Sequence, residues 1–308
     1  MPGLLTHYLF GVEVNNSLSP NYIKEILKTN SRPYNLGLQG PDIFYYHVPT
    51  LILKGKKNIG NTIHHKAPVI FFENMLDYIS KLKHEDEKDI CIAYMSGFLC
   101  HNDLDVQTHP YIRYRSLEDM VFKKGHDFTS CHHRQIETII DTLILREYRQ
   151  TDPSQINLES LVSVKKKEII AISKCLYYTI HATYPYRISR KTIIKCIYAL
   201  RKNMLIIQSD RSASRIPIRV FEKLSFHGPI ISCQKYQPVL DDDKDYLNNN
   251  HHPWKISPES DIQSTESFVE LFEKAKRHSR DILESLDGSL AWGISPDSFL
   301  TAVREDSV

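Results

Sequence analysis

Apolar positions along this chain recur at helical rather than strand spacing. Ile63, Ala67, Ile70, Phe71, Met75, Ile79 and Leu82 step mostly by three or four, which predicts one helix over 59–82 despite Pro68. Residues 4–14 are apolar enough for a buried helix near the amino terminus, and Ser19-Pro20 opens a short amphipathic one over 21–29. Residues 90–104 are almost wholly apolar and predict a central helix buried on all sides, which Pro110 ends or bends. Further helices are predicted over 132–149, 160–181, 189–203 and 265–286. The last has Ser264 and Thr265 as cap candidates and Phe268, Leu271, Phe272 and Ala275 on one side. Three stretches break the pattern. Residues 31–58, rich in Gly, Pro, Tyr and Lys, read as a long loop; HEDEKD at 84–89 reads as a solvated turn; 204–262, which include DDDKD, read as a long irregular segment. There is no internal repeat, low-complexity tract or hairpin alternation. The predicted fold class is all-α, a multi-helix bundle.

Composition narrows the function classes. A chain of 308 residues buries a large core, in one domain or two. Its 39 basic and 37 acidic residues leave a net charge of +2, so no strong overall field steers it to nucleic acid or to an anionic membrane. No run of 18 apolar residues spans a membrane, and no strongly basic amphipathic helix or lipid anchor stands out. The start, MPGLLTHYLFGVEV, lacks the basic region and small-residue cleavage site of a secretory signal, so a cytoplasmic location is expected. Six scattered cysteines without a C-x-x-C read as reduced, mostly buried thiols. Fifteen histidines change the picture more, because ten of them precede residue 138 and place any metal chemistry in the first half.

Those histidines are spaced for ligation. In GFLCHNDLDVQTHPYI, His101, Asp105 and His109 follow at steps of four, and His133 and Glu137 repeat the step. On a helix such residues share one face, so each pair can grip one ion. Imidazole and carboxylate without thiol suit hydrolytic zinc. A His/Asp pair four apart is also an ordinary helix surface pair. Here it continues an apolar run, AYMSGFLC, where an unpaired carboxylate is costly and a cation repays the cost. His64 and His65 follow Gly60; successive helical residues point about 100° apart, so only one of the two faces a common centre. His7 alone and Asp42 alone are weak signals, and His47, His84 and His126 read as ordinary histidines.

The segments LGLQGPDIFYYH, GNTIHH, AYMSGFLCHNDLDVQTHPYI and HHRQIETIID resemble the zinc-dependent phospholipase C family of bacteria and, more distantly, the P1-type nucleases that share its trinuclear site. DYLNNNHHPWKISPES and STESFVELFEKA are similar to carboxy-terminal sequence in that family. The resemblance implies one zinc on Asp42, His64, His101 and Asp105, and a second on His109, His133 and Glu137. Asp105 would bridge to a third, completed by His7 and the chain's amino terminus, where Pro2 stands five residues before His7. Two to three Zn2+ per chain are expected. The implied domains are a zinc-binding catalytic helical core over 1–150 and a helical extension over 151–308 packed on it as one structural unit. The implied activity is hydrolysis of a phosphoric ester by metal-activated water, with Asp42 a ligand that doubles as general base. Phospholipid or a small phosphodiester is the expected substrate; a single-strand nuclease or nucleotidase, or a metal-stabilised scaffold, are the competing readings. Phe44, Tyr45 and Tyr46, beside Asp42, either line the pocket or belong to the core.

Overall fold

Helices begin and end where the sequence supplies caps and breakers. The computed structural model describes residues 3–46, 58–66, 68–118, 126–185, 187–208, 236, 244–292, 296, 299–301 and 303, with backbone only at 126–131 and 292. In chain order these form α1 (Leu4–Ser17), α2 (Tyr22–Thr29), α3 (Ser31–Gly37), a 3-10 turn at Gly40–Tyr45, α4 (Ile59–His65), α5 (Pro68–Ser80), α6 (Glu85–Glu118) and α7 (His126–Arg149). After a second 3-10 turn at Pro153–Gln155 come α8 (Leu158–Leu161), α9 (Lys166–Thr183), α10 (Arg190–Gln208), a two-residue hairpin of β1 (Trp254–Lys255) and β2 (Gln263–Ser264), and α11 (Phe268–Trp292). The fold class is all-α, as the periodicity predicts. No helix among the described residues is long and apolar enough to cross a membrane.

Four departures have local causes. The predicted loop over 31–58 holds α3 and the first 3-10 turn, because Pro33 and Pro41 fall in first turns, where a missing N–H costs nothing. Pro68 divides the predicted 59–82 helix by the same preference: it begins α5 after α4 has ended at His65. The acids of HEDEKD belong to the first turn of α6, where Glu85, Asp86 and Glu87 complement the helix dipole. Pro110 does not end α6. The carbonyl it leaves unbonded belongs to Val106, whose side chain is 38% exposed, so solvent reaches that side of the helix.

The chain divides into two compact units, each gathered from three stretches. The larger comprises residues 10–103, 159–202 and 276–308. Its centre is the first half of α6, where every residue from Ile90 to His101 is buried. Phe71 and Phe72 of α5 pack their rings on Phe98 at 5.2 and 5.6 Å, and α5 packs on α9. Burial pushes the Cys100 and Cys196 thiols up to about 12, which leaves them inert, and the four described cysteines are free and buried. The smaller unit comprises residues 1–9, 104–158 and 203–275. There Tyr111 packs edge-on against Trp254 of the hairpin at 5.3 Å and donates from its hydroxyl to the Tyr246 carbonyl at 2.7 Å. Of DDDKD, only Lys244 and Asp245 lie among the described residues. Asp245 accepts from the Asn249 and Asn250 amides at 2.8 Å each, an ordinary turn cap.

Candidate metal centre

Two glycines bring the first group of candidate ligands together. A Cβ on Gly37 of α3 would lie 2.2 Å from the Tyr94 carbonyl oxygen, and one on Gly97 of α6 would lie 2.2 Å from that of Tyr34. Their absence lets the two backbones touch, so the chain leaves α3 directly over α6 at His101. Gly40 follows with φ +44, and a Cβ there would strike the His101 ring at 2.3 Å. This tight path sets Leu38 and Asp42 around one imidazole. His101 Nδ1 donates to the Leu38 carbonyl at 3.1 Å, which fixes the tautomer and makes Nε2 the nitrogen that carries the lone pair. His64, near the end of α4, places Nε2 at 3.0 Å from Asp42 Oδ1, and its ring centroid is 5.4 Å from that of His101. Asp42, His64 and His101 each offer a ligand atom, and these atoms lie within 4.8 Å of one another.

The smaller unit repeats the motif twice. His7 of α1 is buried, with Nε2 at 3.3 Å from Asp105 Oδ1 of α6. On α7, His133 Nε2 lies 3.1 Å from Glu137 Oε1. His133 Nδ1 meets Ser116 Oγ at 3.1 Å, and that hydroxyl itself donates to the Arg113 carbonyl at 2.8 Å. Ser116 therefore accepts from His133 and fixes its tautomer too. The His109 ring stands edge-on to His133 with centroids 5.6 Å apart. His101, Asp105 and His109 occupy successive turns of α6.

The sequence reading of GNTIHH left two histidines open. His64 turns to Asp42, whereas His65 is exposed on the next face of α4. Tyr45 stacks parallel to His64 at 5.9 Å and donates to Asn61 Oδ1 at 2.5 Å, while Phe44 is wholly buried core. His84 is exposed. Pro2 and His47 lie outside the described residues, as does the His126 side chain.

One buried acid beside the His7 turn escaped the sequence reading. Asp141 of α7 is fully buried and accepts from the Leu5 amide at 3.1 Å, the Thr6 amide at 2.8 Å, Thr6 Oγ1 at 2.6 Å and Tyr236 Oη at 2.7 Å. It caps α1 from outside the helix and so fixes the turn that bears His7. Burial raises its carboxyl to about 6, against hydrogen bonds from Thr6 and Tyr236 that pull it down. The signal was present: in IETIIDTLI, Asp141 is an acid on an apolar helical run, the argument already applied to Asp105.

Three imidazoles thus present Nε2 to carboxylate oxygens, with no thiol among the donors, a set that suits zinc. A family model for zinc dependent phospholipase C matches residues 6–207, about two thirds of the chain and all eight of these donors. The chain belongs to the zinc-dependent phospholipase C family. No curated protein and no solved structure matches it. Membership makes this chain a phospholipase C-type hydrolase and zinc the metal that its family requires.

Proposed function

We propose that this phospholipase C-type chain hydrolyses the phosphodiester of a phospholipid, with zinc held by its acid–imidazole sets. Asp42, His64 and His101 would take part in holding one ion, His109, His133 and Glu137 a second, and His7 with Asp105 a third. The support is the threefold pairing of an imidazole Nε2 with a carboxylate at 3.0–3.3 Å, in a chain of zinc-dependent family. Zinc bound there supplies a water activated at neutral pH and positive charge facing the phosphodiester. The chain's own residues do the rest. The Leu38 carbonyl and Ser116 orient the rings of His101 and His133, the Gly40 turn keeps Asp42 against His64, and Asp42 also accepts a proton from the attacking water.

The test is release of diacylglycerol from phosphatidylcholine vesicles by zinc-loaded protein, with single-stranded DNA as the competing substrate. Diacylglycerol release that His133→Ala abolishes, with the fold kept, is the expected result. Nucleotide release without diacylglycerol would move the chain to the nuclease reading. Zinc that stabilises the protein but supports neither reaction would make it a scaffold.

A further inference from the structure

The near-balanced net charge conceals a polarised surface. Residues 165–208 hold ten lysines and arginines against one acid, Glu168, in a chain whose total is +2. Glu168 is buried. The basic residues are not: all but the half-buried Lys174 are exposed. The expectation that no strongly basic amphipathic helix exists fails here, because summing over the chain cancels this stretch against an acidic remainder.

Within the larger unit, the exposed face of α9 runs Ile170, Lys174, Tyr177, Tyr178 and His181, steps that keep to one side of a helix. Ile170 is 36% exposed, Tyr177 42% and Tyr178 40%. On α10, Lys191, Lys195, Tyr198 and Lys202 form a second exposed stripe, with Tyr198 50% exposed. A groove of about 800 Å³ lies at their junction, lined by Tyr78, Tyr177, Tyr178, His181, Arg187 and Arg190 among others. Lys167, Lys174 and Arg201 pair with Asp86, Glu87 and Glu159. Arg187, Arg190, Lys191, Lys195 and Lys202 are exposed and have no ion pair among the described residues.

We propose that this face of α9 and α10 docks the protein on an anionic phospholipid surface. The inference rests on the phospholipase reading, under which the substrate lies in a bilayer. Charge complementarity supplies the attraction: each basic residue near such a surface strengthens binding about five-fold. The tyrosines and Ile170 supply the second component, since tyrosine rings settle at headgroup depth with the hydroxyl in water. None of these residues belongs to the metal centre, so docking and chemistry are separable.

Co-sedimentation of the full-length protein with phosphatidylcholine vesicles, with and without phosphatidylserine, tests this. Binding should require phosphatidylserine and weaken as salt rises from about 0.1 to 1 M, over which the screening length falls from about 10 to 3 Å. Arg187→Glu/Lys191→Glu/Lys195→Glu should weaken it at least about 100-fold. Tyr177→Ser/Tyr178→Ser should weaken it at high salt as well. If charge reversal lowers the melting temperature, the corresponding Gln triple replaces it and should weaken binding in the same sense. Failure of wild type to bind mixed vesicles, binding by the triple variants equal to wild type, or charge-dependent capture of single-stranded DNA without vesicle binding would each overturn the proposal. A soluble short-chain phosphatidylcholine separates the two readings. Hydrolysis of it by wild type and triple variant alike, with vesicle hydrolysis lost only in the variant, is expected. Vesicle binding through this face by a protein that hydrolyses no phospholipid would sink the activity and leave the face standing.

Discussion

At the scale of single residues, the proposed zinc chemistry depends on which nitrogen of each histidine carries the proton. Leu38 and Ser116 decide that for His101 and His133 by occupying Nδ1. Ser116→Ala removes an acceptor without touching a ligand, and it should lower zinc affinity about ten-fold, measured by competition with a chelator. His64→Ala should lower zinc content and activity together, while His65→Ala should leave both near wild type; equal losses in the two variants would contradict the placement of His64. Asp141 yields a pH prediction. Its carboxyl titrates near 6 when folded and near ~4 in an unfolded chain. The folded state therefore holds the proton more tightly. That advantage is complete below pH ~4 and is lost as pH rises through about 6. Urea titrations should show wild type losing up to ~3 kcal/mol over that window relative to Asp141→Asn, which cannot titrate. A constant difference between the two would show that the four hydrogen bonds cancel the cost of burial.

At the scale of elements, the glycine contact between α3 and α6 is the support on which the first group of candidate ligands rests. Gly37→Ala forces a methyl into the Tyr94 carbonyl and should destabilise the protein by about 1–3 kcal/mol in urea denaturation. It should also lower zinc content, because it lifts the Gly40–Tyr45 turn that carries Asp42. Retained zinc at reduced stability would mean that the turn adjusts independently of α3. This level was only partly legible in the sequence. Long periodic runs such as 90–104 and 132–149 announced their helices because apolar spacing is a local property. The α3 turn did not, because Pro33, Gly37 and Gly40 are breakers in isolation and become builders only beside α6. Asp42 was therefore recognised from its motif, LGLQGPDIFYYH, and placed on a loop. Asp141 carried a local signal in its apolar run, but its partners Leu5, Thr6 and Tyr236 are distant in sequence, so its role as a cap of α1 was not legible.

At the scale of the molecule, the proposed ligand residues are contributed by segments remote in sequence, so zinc bound to them should couple to global stability. Zinc that binds only the folded chain adds RT ln(1 + [L]/Kd), about 2.7 kcal/mol at a hundred-fold excess over Kd. Chelation should therefore lower the melting temperature, and the deficit should grow with the logarithm of the zinc that was present. A melting temperature indifferent to chelator would mean that the histidines serve packing alone. Global charge was the least legible quantity. A sum of +2 is correct arithmetic and a poor description, because charge acts over a Debye length rather than over a chain. The helices from 166 to 208 had to be placed before their lysines could be seen to share a face with exposed tyrosines.

The helix α6 runs unbroken for 34 residues, about 51 Å, and carries His101, Asp105 and His109. The spacing of any ions on these three side chains is then dictated by helical pitch, at about 6 Å per step of four residues. Such a ruler tolerates substitutions between its marks but no change of length. One residue inserted between Asp105 and His109 would rotate everything beyond it by about 100° and advance it about 1.5 Å. Asp105 would still meet His7, while His109 would turn from His133, which α7 holds in register with α1 through Asp141. The interval from 105 to 109 is therefore closed to insertion and deletion, even at solvent-exposed Val106.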